Sequence, residues 1–444
     1  MGSNPMAAGG DRMQAWQWRI FAANYLGLVF EAYDLTIYSL LVVSVSRYFH
    51  LPAWYAFLVL SMTYVLRGVG GLVFGHIGDR IGRRNALVIT VLGYSLATGL
   101  TGLSWNIVSL LVFRALAGLF IGGEYVGYSY TMETVPRRRR GPFSGLIVTS
   151  YSLGFLLASA TFGLVTLIMG SGFSSGGGWR WPFFVGIVPA LIALWLRLGV
   201  PESPAWQKAN QSGSTRPRFP IVEIFKPRYL ARTVHCWLMM AALIWAYDVL
   251  ALAQPTMLHY LKVSNGQISQ LTIIASVGSI VASIVGGVLS QRIGRKRALL
   301  VIAVLGLPFS VLFAPFWMLP ALPTYGYLAV FGFLGVLVAE AGFGVMPAYL
   351  AERYPTEVRA TGATGTYNLG QILAGWSVTL LALTSGGGAG SFMTGMVVNA
   401  VLGFVVLGLL SLVGRDTRDV DLEAHTEESE SHPLTPAPQP AASD

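Results

Sequence analysis

The sequence predicts an all-α membrane protein whose twelve transmembrane helices form two pseudo-symmetric six-helix bundles. Three observations carry that expectation: a composition too apolar for water, twelve apolar runs of spanning length, and a repeat between the two halves. Of the 444 residues, 54% are hydrophobic and only 11% are charged, whereas soluble domains carry roughly 25% charged residues. A span needs about 20 apolar residues. Such runs fall at 20–45, 53–78, 84–103, 107–134, 140–170, 180–200, 231–261, 264–291, 297–316, 322–352, 357–384 and 388–413. Several exceed the minimum, as tilted helices do. The first run is too long for a signal-peptide core and lacks a cleavage site, so it reads as a retained span.

The long interior break at 201–229, rich in Pro, Ser and basic residues, separates a first six-helix bundle at 20–200 from a second at 230–413. A short N-terminus (1–19) precedes them, and the acidic, Pro-rich tail at 414–444 has the composition of a disordered segment. The net charge of +9 is explained by its placement. All but five of the 29 Lys and Arg residues lie in connections that alternate spans assign to one side. The exceptions are Arg47, Arg180 and Lys262 on the other side, and Arg67 and Arg114 within spans. This bias is the positive-inside signal and assigns both termini to the cytoplasm. It leaves no need for a nucleic-acid partner. The single cysteine, Cys236, excludes an intramolecular disulfide and a cysteine-built zinc cluster. The histidines lack metal-ligand spacing, and no Gly-Lys-Ser/Thr phosphate loop follows an apolar strand. With no nucleophile–base pair either, neither an enzyme nor a cofactor is expected.

The repeat is visible at two places. GDRIGRR at 78–84 recurs as SQRIGRK at 290–296, 212 residues on. Glu133, Pro136 and Arg140 recur as Glu352, Pro355 and Arg359, 219 residues on. Basic loops alone would explain the arginines but not the Glu and Pro spacing. Proteins built from such repeats bind cargo between them near the bilayer midplane and expose it to each side in turn by rocking.

Ionisable residues at bilayer depth cost roughly 2.5–3.5 kcal/mol each, so they face a partner or an aqueous cavity. The first half holds five: Glu31 and Asp34 in helix 1, Arg67 in helix 2, and Arg114 and Glu124 in helix 4. Glu31 and Asp34 are three apart and so lie on one helix face. Two carboxylates that close favour a proton on one of them. Asp34, with Glu31 and Glu124, is therefore the candidate for taking up a coupling proton; a structural ion pair with Arg67 is the plainer alternative. Arg67 and Arg114 offer the fork that matches a carboxylate, which makes them candidates for an anionic cargo. Neutralising the three acids is their competing role.

The second half is leaner at depth, with Asp248 in helix 7, Glu340 in helix 10, and Asn368 and Gln371 in helix 11. These four are cargo candidates, with Tyr367 and Trp376 as apolar walls; interhelical hydrogen bonding is the competing role. Glu340 has no basic partner in its own half. At the end of helix 2, Asp79 is badly placed for its own helix dipole, so it should pair with Arg83, Arg140 or a helix N-terminus of the other bundle. Glycines 68, 70, 71 and 75 in helix 2, and 118, 122, 123 and 127 in helix 4, read as faces for close helix approach.

These residues also carry a family resemblance. GHIGDRIGRR at 75–84 is similar to the helix 2–3 loop signature of the major facilitator superfamily. Phe30-Glu31-Ala32-Tyr33-Asp34, Arg67 with Gly70-Gly71, Arg114 with Gly122-Gly123-Glu124, and PAYLAERYPTEVRATG at 347–362 resemble the metabolite:proton symporter family. Sialate and lactate symporters share several of these motifs. Two departures, Ala32 in place of Trp and a helix 7 without the lactate carriers' polar signature, leave the substrate open. The resemblance implies that the arginine and glutamate of helix 4 serve coupling or bundle integrity. It also implies that Asp79, Arg80, Arg83, Glu133, Arg140, Glu352 and Arg359 gate the cytoplasmic side, with Tyr33 among the cargo-binding residues.

The expected function is proton-coupled import of a small organic acid or zwitterion across the cytoplasmic (inner) membrane. The expected partners are that small molecule, protons and the lipid bilayer, and a monomer is expected. A proton-driven antiporter exporting drugs or metabolites is the alternative. It is disfavoured because SLGFLLASATFG at 152–163 lacks the Gly-Pro-rich motif of exporters.

Overall fold

A computed structural model describes residues 13–50, 53–170, 173, 177–211, 219–254, 257–258, 265–312, 325–377, 380–381 and 389–422. Among the described residues there are twelve long helices and no strand. The first six are α1 (Ala15–Tyr48), α2 (Ala53–Ile81), α3 (Arg83–Gly102), α4 (Ile107–Thr134), α5 (Arg140–Met169) and α6 (Trp181–Leu198). After two short helices, Pro204–Gln211 and Pro220–Glu223, the second six follow. These are α7 (Pro227–Tyr247), α8 (Asn265–Ile293), α9 (Arg295–Leu312), α10 (Tyr325–Glu352), α11 (Arg359–Ala374) and α12 (Ala389–Val413). The parts of the predicted tail beyond residue 422, of the N-terminus before residue 13, and Lys262 lie outside the described residues.

Helices of this kind form because lipid offers the backbone no hydrogen-bond partner, so each span must satisfy its own amides. Seven of the described helices are long and apolar enough to cross a membrane by length and composition alone. Their outward faces carry Leu96, Leu167 and Val413 at 66–81% exposure. Apolar surface on that scale calls for lipid as its solvent. Two helices depart from the regular α form. α4 tightens to a 3₁₀ turn at Gly122–Tyr125, and α7 runs on into a π turn at Asp248–Leu252.

The duplication predicted from the sequence is repeated in the packing. In the first bundle α1 lies along α5 and α6, α2 on α4, and α3 on α4 and α6. In the second, α7 lies along α11 and α12, α8 on α10, and α9 on α10 and α12. The bundles meet through α2 against α11 and α5 against α8. Glycines permit both crossings. A Cβ at Gly75 would strike the backbone of Ala360 and Thr361, and one at Gly287 would strike Gly141 and Gly145. Gly118 and Gly122 of α4 abut the α2 backbone in the same way. The expected close-approach faces are thus present both inside the first bundle and between the bundles.

Beyond α12 the chain crosses the basic end of the molecule, the end that carries the arginine-rich connections. Leu422 is fully buried there. Its carbonyl accepts from Arg359 Nη2 at 3.1 Å and Thr356 Oγ1 at 3.3 Å, and the Val420 carbonyl accepts from Arg140 Nη1 at 2.8 Å. Arg140 opens α5 and Arg359 opens α11, so this strap holds one helix of each bundle. Leu422→Ala should lower stability by about 2 kcal/mol, the low end for emptying a buried leucine site. Asp419→Asn, which removes an exposed pair with Arg137, should leave it unchanged. Thermal unfolding in detergent checks both.

Candidate functional site

Three buried ion pairs occupy the first bundle. Glu31 Oε1 accepts from Arg67 Nη2 at 2.5 Å. Asp34 Oδ2 meets Arg114 Nη1 at 2.7 Å, and its Oδ1 accepts from Thr98 Oγ1 at 2.7 Å. Glu124 takes both arms of Arg197, at 2.8 and 2.5 Å. All six side chains are buried. The arginines also lie against aromatic faces: Arg67 sits 4.9 Å from the Tyr125 ring centre and Arg114 4.9 Å from that of Tyr38. In such surroundings an Arg⁺–π contact contributes most when desolvated.

The sequence put Glu31 and Asp34 on one face and set them against each other. In the structure each has its own arginine. Three residues turn an α-helix through all but about 60° of a circle, and that angle directs Glu31 to α2 and Asp34 to α3 and α4. Arg197, read from the sequence as a loop residue, lies in the last turn of α6 with its side chain directed inward. Besides Glu124 it donates to the Leu87 carbonyl at 3.0 Å. Its position inside the apolar run 180–200 was the available signal. Tyr33 packs between α1 and α6, and its hydroxyl donates to the Pro182 carbonyl at 2.8 Å.

Where the two bundles face each other the lining is aromatic. Tyr125 lies 4.3 Å from Tyr367 and 5.0 Å from Tyr128, centroid to centroid. These rings, with Pro347, Leu350 and Ala363, enclose a cavity of about 10 Å³, room for at most a single water. Polar groups around this contact are left unsatisfied. Arg67 Nε and Nη1, Glu31 Oε2, Asn368 Oδ1 and Gln371 Oε1 are buried without a hydrogen-bond partner. Asn368 Nδ2 donates to Thr364 O at 2.9 Å and, across the bundle boundary, to Gly122 O at 3.3 Å. Trp376, expected as a wall, is 59% exposed on the outer surface.

The two acids at depth in the second bundle, Asp248 and Glu340, have no arginine partner among the described residues. Asp248 opens the π turn of α7, where its carbonyl accepts from Ala253 N at 3.2 Å. Its carboxylate has no hydrogen-bond or charge partner among the described residues. Glu340 accepts from Ser283 Oγ at 2.9 Å and likewise has no ion pair among the described residues.

A second set of charges closes the basic end. Asp79 pairs with Arg83 at 3.0 Å and accepts from Ala360 N, Thr361 N and Thr361 Oγ1 at 3.1, 2.8 and 2.6 Å. Of the three partners expected for Asp79, Arg83 and a helix N-terminus of the other bundle are used. Arg140 is not; it donates instead to the carbonyls of Met132 and Val420. Glu133 is shared by Arg83 at 3.1 Å and Arg359 at 3.0 Å, one from each bundle. Arg80 is exposed.

The repeat reproduces much of this cluster. Arg295 pairs with Glu352 at 3.0 Å as Arg83 does with Glu133. Glu202 caps the N–H of Arg83 at 2.8 Å, and Asp416 caps that of Arg295 at 3.0 Å. Ser203 donates to Glu133 as Thr417 does to Glu352. Gly82 and Gly294 have φ of 104° and 99°, and a Cβ at either would collide with the capping carboxylate. That double constraint explains the IGR shared by both loops. Glu202, Ser203, Asp416 and Thr417 were missed by the sequence reading, because they sit two hundred residues apart in unlike surroundings. The repeat departs from symmetry at Arg140, which lacks the cross-bundle pair that Arg359 makes with Glu133, and at Gln291, which faces α5 where Asp79 faces α11. Its Oε1 accepts from Gly141 N at 2.9 Å, so the second contact persists without the charge.

Comparison with known proteins gives a consistent picture. Residues 25–216 match the family described as Sugar (and other) transporter, and residues 236–442 match the Major Facilitator Superfamily. The chain is 29% identical to the "Probable 4-methylmuconolactone transporter" of Cupriavidus pinatubonensis, covering 96% of this chain and 97% of that protein. It is 26% identical to the "Proline/betaine transporter" of Escherichia coli (strain K12), covering 82% and 77%. Its fold superposes on the proton:xylose symporter XylE with a TM-score of 0.75 at 20% identity, covering 92% and 98%.

Arg197→Gln would leave Glu124 buried without its counter-charge and should cost about 3–5 kcal/mol. Adding Glu124→Gln should recover most of that loss. Thermal unfolding of the single and double variants measures both steps, and a double variant no more stable than the single one rejects the pairing.

Proposed function

The chain belongs to the major facilitator superfamily as a transporter of metabolites, and from that premise we propose that it imports a small organic acid or zwitterion together with protons. The observation that carries this reading is the state of Arg67. It lies buried at the boundary between the bundles, spends one amino group on Glu31 and Tyr125, and keeps Nε and Nη1 without partners. A fully buried guanidinium with two idle donors is matched to a carboxylate arriving from outside. The relatives' names, which include a proline/betaine transporter, support a cargo of that size and polarity.

Asp34 is the group we assign to the proton. Its pair with Arg114 lies inside the first bundle, beside Thr98 and Tyr38. While Asp34 is charged, Arg114 is neutralised. Once Asp34 takes a proton, Arg114 loses its counter-charge and the cargo carboxylate can supply another, so proton and cargo favour each other's binding. Glu31 has the same relation to Arg67, and Glu124 holds Arg197 as a positioning pair.

The positive-inside bias supports placing the basic end in the cytoplasm, with both termini there, and the membrane as the inner membrane of a bacterium. On this assignment Asp79, Gln291, Glu133, Arg359 and the strap hold the cytoplasmic end shut. Cargo release requires those contacts to part as the bundles rock. A single copy contains every residue invoked, which supports a monomer as the working unit.

The test is uptake of labelled organic acids and zwitterions into proteoliposomes under an inward proton gradient. Accumulation should occur, collapse with an uncoupler, and fail in Asp34→Asn. Equilibrium affinity should fall as pH rises, because deprotonated Asp34 reclaims Arg114, and this dependence should vanish in Asp34→Asn. Affinity independent of pH in the wild type would reject the coupling role. Efflux driven by the reversed gradient, without any accumulation, would identify an exporter.

A further inference from the structure

The charges at bilayer depth are balanced in the first bundle and unbalanced in the second. Glu31, Asp34 and Glu124 each meet an arginine. The second bundle places Asp248 and Glu340 at comparable depth, and α8, α10, α11 and α12 contain no lysine or arginine away from their ends. Two carboxylates without a counter-charge are expensive in a low-dielectric interior, and something must offset them. Protons alone would do so. A cationic group on the cargo would also do so, and it would turn the cost into binding energy.

The surroundings favour a cationic visitor. Tyr247 precedes Asp248 and stacks edge-on against Phe343, with centroids 5.2 Å apart. Phe343 lies one helical turn beyond Glu340, on the same face of α10. That ring contact joins α7 to α10 through residues next to Asp248 and one turn from Glu340, and aromatic faces attract ammonium groups. Tyr247 is within electrostatic range of both acids, and Tyr128 and Tyr367 are within range of Glu340. Arg67 lies over the Tyr125 ring, which packs on Tyr367 of the second bundle with centroids 4.3 Å apart, so the guanidinium borders the bundle that carries the two acids. An independent feature marks the same spot. The π turn of α7 begins at Asp248, and such turns collect at functional sites because they cost regular hydrogen bonding.

Resting on the assignment of Arg67 to the cargo carboxylate, we propose that the cargo is a zwitterion, with its cationic group received by Asp248, Glu340 and the tyrosines around them. A carboxylate without the ammonium would leave the two acids uncompensated. An ammonium without the carboxylate would leave Arg67 Nε and Nη1 without partners.

Binding to the purified full-length protein in lipid nanodiscs tests this without any gradient. The probes are three zwitterions, each beside an isostere in which the cationic nitrogen is replaced by carbon. These are glycine betaine with 3,3-dimethylbutanoate, 4-trimethylaminobutanoate with 5,5-dimethylhexanoate, and proline with cyclopentanecarboxylate. At least one zwitterion should bind tenfold or more tightly than its isostere, and Asp248→Asn or Glu340→Gln should reduce that ratio at least tenfold. The wild-type ratio decides the matter even where a variant fails to fold. Isosteres that bind as well as their zwitterions overturn the proposal, as does the absence of binding by every zwitterion, or a ratio unmoved in both folded variants. Because no proton gradient enters the measurement, these results leave proton-coupled import standing or falling on the uptake assay alone.

Discussion

Arg67, Arg114 and Arg197 reach the interior of the first bundle only because Glu31, Asp34 and Glu124 meet them there, and much else follows from that requirement. A guanidinium in hydrocarbon cannot be left to water, so each one dictates where the carboxylate's helix must lie. The Glu31–Arg67 pair ties α1 to α2, the Asp34–Arg114 pair ties α1 to α4, and the Glu124–Arg197 pair ties α4 to α6. Replacing such pairs by apolar residues would often cost nothing in stability. On the proposed function, the Glu31–Arg67 and Asp34–Arg114 pairs are explained by what a movable charge allows: either can exchange a partner for a proton or a cargo atom, whereas a leucine cannot.

The ends of the bundles use the same currency for a different purpose. At the basic end three buried carboxylates are each held by more than one donor. Asp79 has Arg83 and the first amides of α11, Glu133 has an arginine from each bundle, and Glu352 has Arg295 and Thr417. Carboxylates at helix N-termini gain from the aligned peptide dipoles as well as from hydrogen bonds. The repeat keeps this geometry but not its strength. Asp79 brings a charge to α11, while Gln291 brings only a neutral carbonyl to α5. The two crossings between bundles are therefore similar in shape and unequal in energy, and the α5–α8 contact is the weaker of the two electrostatically.

The architecture was legible because lipid leaves few choices. Twelve apolar runs, the basic bias and the two offset motifs led to twelve helices in two related bundles, and Asp79 could be matched to a helix N-terminus from its unfavourable position on its own. What escaped was side-chain direction. Arg197 was counted with the basic residues of the cytoplasmic connections, although its side chain folds back toward Glu124, 73 residues away. Glu31 and Asp34 share a broad face by spacing, yet a modest angular difference gives them separate partners. The capping acids Glu202 and Asp416 carry no motif in common beyond acid followed by hydroxyl. The π turn of α7 left no trace in hydropathy, since one extra residue in a turn changes neither composition nor apolar content.

Pseudo-symmetry makes the differences between the halves more informative than their likeness. A duplicated bundle needs no new charges to fold, so the first half's three arginines at depth are not demanded by the architecture that the second half achieves without them. Equally, Asp248 and Glu340 are not demanded by it, since the first half offers no acid that goes unpaired. Charge that the fold does not require, set on opposite sides of a shared aromatic boundary, is charge available for a ligand. A carrier that rocks must hold its cargo from both bundles at once, or one bundle would move away with the cargo still bound. On the proposed assignment, arginine on one side and acids on the other meet that condition with the fewest groups: the cargo carboxylate would join an arginine whose pair with Glu31 leaves two donors unused, and its cationic group would offset acids that lack a counter-charge in the second bundle.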